Sequence, residues 1–286
     1  MYKLGCAQGA RGEYGLSVLS FGRPETSAGV FGVRLHDNNA TFASLSEVEA
    51  SSKWFTVGLY NCSPVPLVAP IRVALGTSNL DYGGVNFFAH GAAWARMVLN
   101  VSGFALTNRY ARISIAGGND FETDWSTPGI AADWADGYMS VAGAKPYYDY
   151  GDAGGCPLYS PSSPADSPLD NSCNNGWHQS DVRYVAWEVP AANPLPEIYL
   201  EDGGNARQWQ RISLYSVFAT GGRMIVRGTM SQWTACQERP PCAGTGNSPN
   251  NAWYQMYVAL NTDSRTAESP ADLPYLTDIS WYRDLQ

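Results

Sequence analysis

The chain has 286 residues, of which 44% are hydrophobic and 15% are charged, and its formal net charge is −8. Nucleic-acid binding needs clustered Lys and Arg, so this acidic balance argues against it. No stretch approaches the roughly 18 consecutive apolar residues of a membrane helix, and we expect no membrane span. The length fits one large core, so we predict a single domain over residues 1–286.

Short runs rich in β-branched and aromatic residues, each ended by small or polar residues, predict eight buried strands. They cover residues 15–21, 54–60, 71–76, 112–116, 145–150, 182–187, 195–200 and 224–228. Apolar residues at helical spacing predict helices over residues 87–101, 128–141, 206–218 and 251–260. Thr127-Pro128 and Ser248-Pro249 support two helix starts, because an N-cap residue precedes a proline at the first helical position.

Strands that alternate with helices predict a mainly parallel sheet. Eight strands favour closure into a barrel, whose active face is built from the loops after the carboxyl ends of the strands. Residues 61–70 and 188–194 are too short for a parallel crossover, which needs roughly a dozen residues or more. The predicted fold is therefore an irregular (β/α)8 TIM-like barrel of the α/β class, with some helices missing and long disulfide-stapled loops.

Six cysteines fall into pairs by their position in the chain. The predicted pairs are Cys156 with Cys173, Cys236 with Cys242, and Cys6 with Cys62. The first two pairs flank loops rich in Pro, Ser, Gly and Asn, although six cysteines allow other arrangements. No two cysteines have metal-binding CxxC spacing and the three histidines lie far from them in sequence, so we expect no metal and no other cofactor.

Disulfides indicate an oxidising compartment. The amino terminus, Met1 to Cys6, lacks the apolar core of a signal peptide. We therefore expect a secreted, extracellular protein in its mature form, with the signal peptide removed. The sequence indicates no particular oligomeric state.

Asp120 and Glu122 are the strongest candidates for catalysis. They are two residues apart after the fourth predicted strand, so in extended backbone both side chains point to the same side. Their mutual repulsion, and burial against Phe121 and Trp125, would raise one pKa and keep Glu122 protonated near neutral pH. In the alternative interpretation, Asp120 or Asp124 only caps the following helix.

Other strand ends add acids and aromatic residues to the same rim. Glu197 lies within an apolar run and Asp149 ends the fifth predicted strand, and both join the catalytic candidates. An unpaired buried carboxylate is costly unless it has a function. Tyr and Trp also offer flat apolar faces to sugar rings. The predicted substrate-binding residues are Asn79, Asn119, Trp125, Tyr148, Trp187, Tyr199 and Trp233.

The tripeptide Asp120-Phe121-Glu122 resembles the Asp-x-Glu signature at the fourth strand of chitinase-like (family 18) and muramidase-like (family 25) glycoside hydrolase barrels. The wider pattern is similar to that of secreted bacterial proteins with a glycoside-hydrolase-like domain. The likeness implies that Glu122 is the acid, that Asp120 orients it or stabilises a cationic intermediate, and that Tyr148-Asp149 corresponds to the substrate-positioning pair of family 18. Two family features are missing, because Gly117, Gly118 and Asn119 stand where family 18 has aspartates, and residues 21–24 lack the early-strand Asp of family 25.

These observations predict a glycoside hydrolase acting on a polysaccharide or cell-wall glycan. Glu122 would be the general acid, and Asp120 or Glu197 the stabiliser or nucleophile, since such hydrolysis uses two carboxyl groups. The alternative hypothesis is a non-catalytic carbohydrate-binding or cell-surface protein on a degenerate glycosidase barrel.

Overall fold

A computed structural model describes residues 1–12, 15–36, 41–64, 70–159, 169–238, 242 and 244–281. The strands are β1 (Gly15–Ser20), β2 (Gly22–Ser27), β3 (Val30–Leu35), β4 (Phe42–Ser44), β5 (Ile71–Ser78), β6 (Ile113–Asp120), β7 (Tyr147–Asp149), β8 (Ala192–Pro194), β9 (Gly228–Ser231), β10 (Tyr275–Asp278) and β11 (Ser280–Trp281). The helices are α1 (Tyr2–Ala10), α2 (Leu45–Cys62), α3 (Phe87–Thr107), α4 (Pro128–Ala142), α5 (Gln179–Arg183), α6 (Gly204–Thr220), α7 (Trp233–Glu238) and α8 (Pro249–Asn261). Within these ranges, every helix is too short or too polar to cross a membrane.

Six strands form a central parallel sheet in the order β11, β1, β5, β6, β7, β8. Because neighbouring strands run in the same direction, their carboxyl ends meet at one edge, which we call the carboxyl edge. It is formed by Ser20, Ser78, Asp120 and Asp149, and Ser78 is the register partner of Asp120. The predicted α/β class with a parallel sheet is thus confirmed, while the single-domain assignment stays a prediction.

The remaining strands form smaller units beside this sheet. β9 and β10 pair in parallel, and β2, β3 and β4 form an antiparallel sheet that directly follows β1. A parallel bridge joins Glu197 to Met230 of β9, and the N–H of Ile198 donates to the Met230 carbonyl at 2.8 Å. This bridge holds Glu197 beside the central sheet, three residues beyond the end of β8.

The two faces of the central sheet carry different side chains, as alternation along a strand requires. Ile113 and Ile115 of β6 belong to the large core beneath α3 and α4. Ala116 points the other way, into a second core with Val18 and Tyr148, which we call the inner face. Asp120 is four residues after Ala116 in the same strand, so its side chain points to the same side. It therefore lies on the inner face at the carboxyl edge.

The predicted strand over residues 54–60 is wrong, because this segment belongs to α2. The helix begins at a capping box, in which the Ser44 hydroxyl accepts from the Glu47 N–H and the Glu47 carboxylate accepts from the Ser44 N–H at 2.8 Å. Glycines let α1 and α2 approach closely, since a Cβ added at Gly58 would collide with the Tyr2 carbonyl oxygen.

The predicted strand over residues 182–187 is also wrong. These residues complete α5 and continue into a π-helical turn over Tyr184–Glu188. The Asp181 carboxylate accepts from the His178 N–H at 2.8 Å at the start of α5, and Arg183 forms a 2.7 Å ion pair with Glu188 across the turn. The last two predicted strands are displaced. β8 ends at Pro194, just before the predicted strand over residues 195–200, within which the structure has the bridge at Glu197. β9 begins at Gly228, the last residue of the strand predicted over residues 224–228.

The four predicted helices are confirmed as α3, α4, α6 and α8, and the Ser248 hydroxyl caps α8 by accepting from the Asn251 N–H at 3.3 Å. The sequence analysis missed α1, α7, the antiparallel sheet and the last two strands. All three predicted cysteine pairs are confirmed: Cys6 with Cys62, Cys156 with Cys173, and Cys236 with Cys242. The disulfides are typical of proteins from oxidising compartments.

Candidate functional site

Three acidic side chains meet at the carboxyl edge. Asp120 ends β6, Glu122 follows two residues later, and Glu197 is held nearby by its bridge to Met230. One carboxylate oxygen from each acid lies within 4.8 Å of the other two. Asp120 and Glu197 are buried, whereas Glu122 is partly exposed. We call Asp120, Glu122 and Glu197 the carboxylate cluster.

A fourth acid, Asp152, lies beside the cluster in the segment after β7. It is buried, and two donors fix its carboxylate. The Tyr199 hydroxyl donates to Oδ2 at 2.7 Å, and the Gly154 N–H donates to Oδ1 at 3.0 Å. The negative charge of Asp152 acts on the pKa of all three cluster acids, which places it within electrostatic reach of each.

Burial is the main cause of unusual proton affinity in the cluster. It raises the pKa of Asp120 and of Glu122 well above their ordinary values, and the pKa of Glu197 to about 8. Repulsion adds to burial, because each neighbouring charge that shifts these pKa values belongs to another Asp or Glu. The cluster therefore favours bound protons or a cation over free carboxylates.

Asn79, which the sequence predicted to bind substrate, instead holds the backbone of Glu122. Its side-chain oxygen accepts from the Glu122 N–H at 3.1 Å, and its Nδ2 donates to the Glu122 carbonyl at 2.9 Å and to the Ser126 hydroxyl at 2.8 Å. The N–H of Trp125 also donates to the Glu122 carbonyl, at 3.3 Å. Asn79 and Trp125 thus position the turn that carries Glu122.

Asn119 and Asp149 are register partners on β6 and β7. Strand alternation turns both away from the inner face, and Tyr147, which shares the parity of Asp149, packs in the core beneath the helices. The Gly151 N–H donates to the Asp149 carboxylate at 3.1 Å, and burial raises the pKa of Asp149 to about 8. The structure therefore does not bring these two residues into the carboxylate cluster.

The predicted aromatic residues are dispersed. Tyr148 lies on the inner face, but its hydroxyl accepts from Arg72 at 2.6 Å, near the amino-terminal end of β5. Trp187 packs against the core of the helical layer, and Trp233 lines a separate cavity of about 540 Å³. Among the side chains of the predicted aromatic residues, the Tyr199 hydroxyl donates to Asp152 beside the carboxylate cluster.

The sequence analysis missed Asp152 and a chain of hydroxyl groups near Asp120. Tyr150 is buried, its hydroxyl donates to the Thr77 carbonyl at 2.9 Å, and it lies 3.3 Å from the Ser20 hydroxyl. The Ser20 hydroxyl in turn lies 3.1 Å from Nε2 of His36. The sequence contained one signal for Asp152. It is an acid between glycines, shortly after the fifth predicted strand, whose end belongs to the predicted rim of the barrel.

Comparisons with known proteins give little likeness. No family model matches the chain, and no curated protein matches it. A solved structure of a sugar phosphate isomerase/epimerase from Parabacteroides distasonis is similar with a TM-score of 0.38 and 8% sequence identity. The match covers 92% of this chain and 90% of that one.

The prediction of a glycoside hydrolase is wrong, and with it the assignment of Glu122 as the general acid of glycoside cleavage. The solved structure found by comparison is named for a sugar phosphate isomerase/epimerase.

Proposed function

We propose that the protein is an enzyme that transfers protons at the carboxylate cluster, with Asp152 as the acid and base. The observation that carries this proposal is the convergence of four carboxyl groups, three of them buried and that of Glu122 partly exposed, at the carboxyl edge of a parallel sheet. Active sites of parallel α/β proteins lie at this edge. Buried acids with perturbed pKa values in such a position are typical of catalysis.

Asp152 is the best candidate for the proton-transfer group. Burial raises its pKa, and the Tyr199 hydroxyl and the Gly154 N–H lower it by hydrogen bonding to the carboxylate. A carboxyl group whose pKa is raised by burial holds a proton more readily than an exposed one, which suits a role in general acid–base catalysis. The two hydrogen bonds also fix its orientation, so that one direction of approach is favoured for the substrate.

The charges of the site limit the substrate class. Four acids and a net charge of −8 repel anions, so a neutral or cationic substrate is favoured. Carboxylates accept hydrogen bonds, and hydroxyl groups donate them. We therefore propose a small neutral hydroxyaldehyde or hydroxyketone. Asp152 would take the proton from the carbon beside the carbonyl, and the C–H electron pair would form the carbon–carbon double bond of an enediol. The C=O π pair would move onto the carbonyl oxygen, which would take a proton from water. The reverse transfer would return the proton to carbon.

Deuterium exchange tests this proposal without knowledge of the final product. The protein is incubated in D₂O with a panel of neutral hydroxyaldehydes and hydroxyketones, and NMR follows loss of the C–H signal beside the carbonyl. We expect exchange with the wild type, loss of exchange in Asp152→Asn, and slower exchange in Tyr199→Phe. Asp133→Asn, an exposed aspartate on α4, is the matched control. Exchange that persists in Asp152→Asn, or a wild type inert toward the whole panel, would reject the proposal.

Two finer features of the fold and location belong to the same proposal. We propose that the sheet closes into an irregular TIM-like barrel, which is supported by the pairing of β11 with β1, of β10 with β9, and by the Glu197 to Met230 bridge. We also propose that the protein is exported, which is supported by its three disulfides.

A further inference from the structure

We propose that the carboxylate cluster is a binding site for one hard divalent cation, of the Mg²⁺, Mn²⁺ or Ca²⁺ class. Asp120, Glu122 and Glu197 would each supply one oxygen ligand. This inference rests on the proposed function, because it places the cation in the same active site. It departs from the expectation of no metal that followed from the spacing of cysteines and histidines.

The distances fit such an ion. Oxygen ligands lie about 2.0–2.1 Å from Mg²⁺ and roughly 2.3–2.6 Å from Ca²⁺. Two oxygens on opposite sides of one ion are therefore separated by about 4.0–5.2 Å. The three cluster oxygens lie within 4.8 Å of one another, which is inside that span. A set made only of carboxylates favours hard cations, whereas Zn²⁺ and Cu²⁺ sites usually include His or Cys.

An unpaired oxygen gives independent support. Oδ1 of Asp120 is buried and finds no hydrogen-bond partner within the described chain, and the residue as a whole is 5% exposed. A buried acceptor without a donor is costly, and native structures rarely keep one without a bound water or ion. Asp120 lies at the end of β6, and one of its carboxylate oxygens lies within 4.8 Å of oxygens of the other two acids. A bound cation would accept an electron pair from this oxygen and so take the place of the missing hydrogen-bond donor.

The charge balance points to the same ligand. None of the ion pairs found among the described residues involves Asp120, Glu122 or Glu197. Buried acids that lack a basic side chain need another source of positive charge, and a divalent ion provides two units at the point where the oxygens converge. The ligands and Asp152 then have separate roles. The cation would supply polarisation of a substrate oxygen, and Asp152, fixed by Tyr199, would move the proton.

The expectation of no metal followed from the spacing of cysteines and histidines, whereas sites made only of oxygen ligands have no spacing signature. Asp120 and Glu122 are separated from Glu197 by about a quarter of the chain, and a fold is needed to bring them together. Zinc sites built from cysteine and histidine show short local spacings that a sequence search can find. The signal that could have suggested a cation was the concentration of acids on strand ends of one rim.

The test is Mn²⁺ binding to the full chain after removal of metals with EDTA. Electron paramagnetic resonance measures free Mn²⁺, and we expect one bound ion per chain with a Kd on the order of micromolar. Competition with Mg²⁺ and with Ca²⁺ identifies the preferred ion. Glu197→Gln and Glu122→Gln should each weaken Mn²⁺ binding by at least about 10-fold. Glu268→Gln, which removes a buried carboxyl group outside the cluster, should bind Mn²⁺ as the wild type does.

Three results would overturn the cation site. These are the absence of binding of all three ions at millimolar concentration, wild-type affinity in both cluster variants, or an equal loss in Glu268→Gln. Near-UV circular dichroism checks that Glu197→Gln is folded, and the partly exposed Glu122 provides a second variant at less risk of unfolding. Asp152→Asn should keep Mn²⁺ affinity within a few-fold. Deuterium exchange that continues in EDTA, without Mn²⁺ binding, would reject the cation site alone. Mn²⁺ binding without deuterium exchange would reject the proposed function alone.

Discussion

Replacing Asp149 by Asn tests whether this carboxyl group is a structural acid that is costly to ionise. Burial raises its pKa from 3.8 to about 8. The folded protein therefore keeps a proton that the unfolded chain releases, and the wild type loses stability as the pH rises from about 4 to about 8. The loss is up to about 1.4 kcal/mol per pH unit. The amide that replaces the carboxyl group cannot ionise, so the variant avoids this loss.

The local contacts favour the exchange of Asp for Asn. An amide oxygen can still accept from the Gly151 N–H, which now donates to Oδ1 at 3.1 Å. The other carboxylate oxygen has no partner within the described residues, and neither has either amide atom of its register partner Asn119. Between pH 5 and pH 7 the stability advantage of the variant should grow by as much as about 2.7 kcal/mol.

Urea unfolding at pH 5 and pH 7, at constant ionic strength, measures this advantage as a difference between two free energies of unfolding. Asp133→Asn is the control, since it removes one negative charge from an exposed position on α4. The expected signal is the change in this advantage between the two pH values, so a constant error in extrapolating either free energy of unfolding to zero urea cancels. An Asp149→Asn advantage that is the same at pH 5 and pH 7 would refute the assignment of a raised pKa to burial.

Three further predictions concern stability. Burial raises the pKa of Glu268 to about 7, so the free energy of unfolding of Glu268→Gln, relative to the wild type, should rise by about 1–2 kcal/mol between pH 5 and pH 7 in urea unfolding. A relative free energy of unfolding that falls between these pH values would contradict this prediction. The double variant Cys6→Ser, Cys62→Ser opens a link across 56 residues and should lose about 4 kcal/mol, seen as a lower Tm; a loss below about 1 kcal/mol would count against loop entropy. Gly58→Ala should cost roughly 1–3 kcal/mol despite the higher helix propensity of Ala, because its Cβ would strike α1, and a neutral Tm would show that the helices can separate.

The helices could be predicted wherever their apolar residues were well separated, and the failures share one cause. Residues 54–60 and 182–187 are so densely apolar and aromatic that a strand period and a helix period fit equally well. The deciding information lay outside each run. Ser44 and Glu47 cap α2 ten residues before the first, and Asp181 starts α5 just before the second. Weighing start signals ahead of composition would have favoured helices in both places.

The convergence of Asp120, Glu122 and Glu197 followed from strand order, since the carboxyl ends of parallel strands share one edge. Strand order did not determine which side chains of β7 face inwards. A shift of one residue in register moves every side chain to the other face of a sheet. The run 145–150 gave no means to decide which of Tyr148 and Asp149 faces inwards. The register with β6 decides it: Tyr148 lies on the inner face and Asp149 turns towards the helices.

The same three acids support different chemistry at different separations, so their place on one rim did not by itself determine the function. Carboxyl groups placed on either side of a bond can protonate and attack it, which requires room for the sugar between them. Oxygens of all three acids that lie within 4.8 Å of one another can also bind one ion between them. In our proposal the convergence of these three oxygens binds a cation, and the proton is transferred by Asp152, whose carboxylate has its own donors from Tyr199 and Gly154.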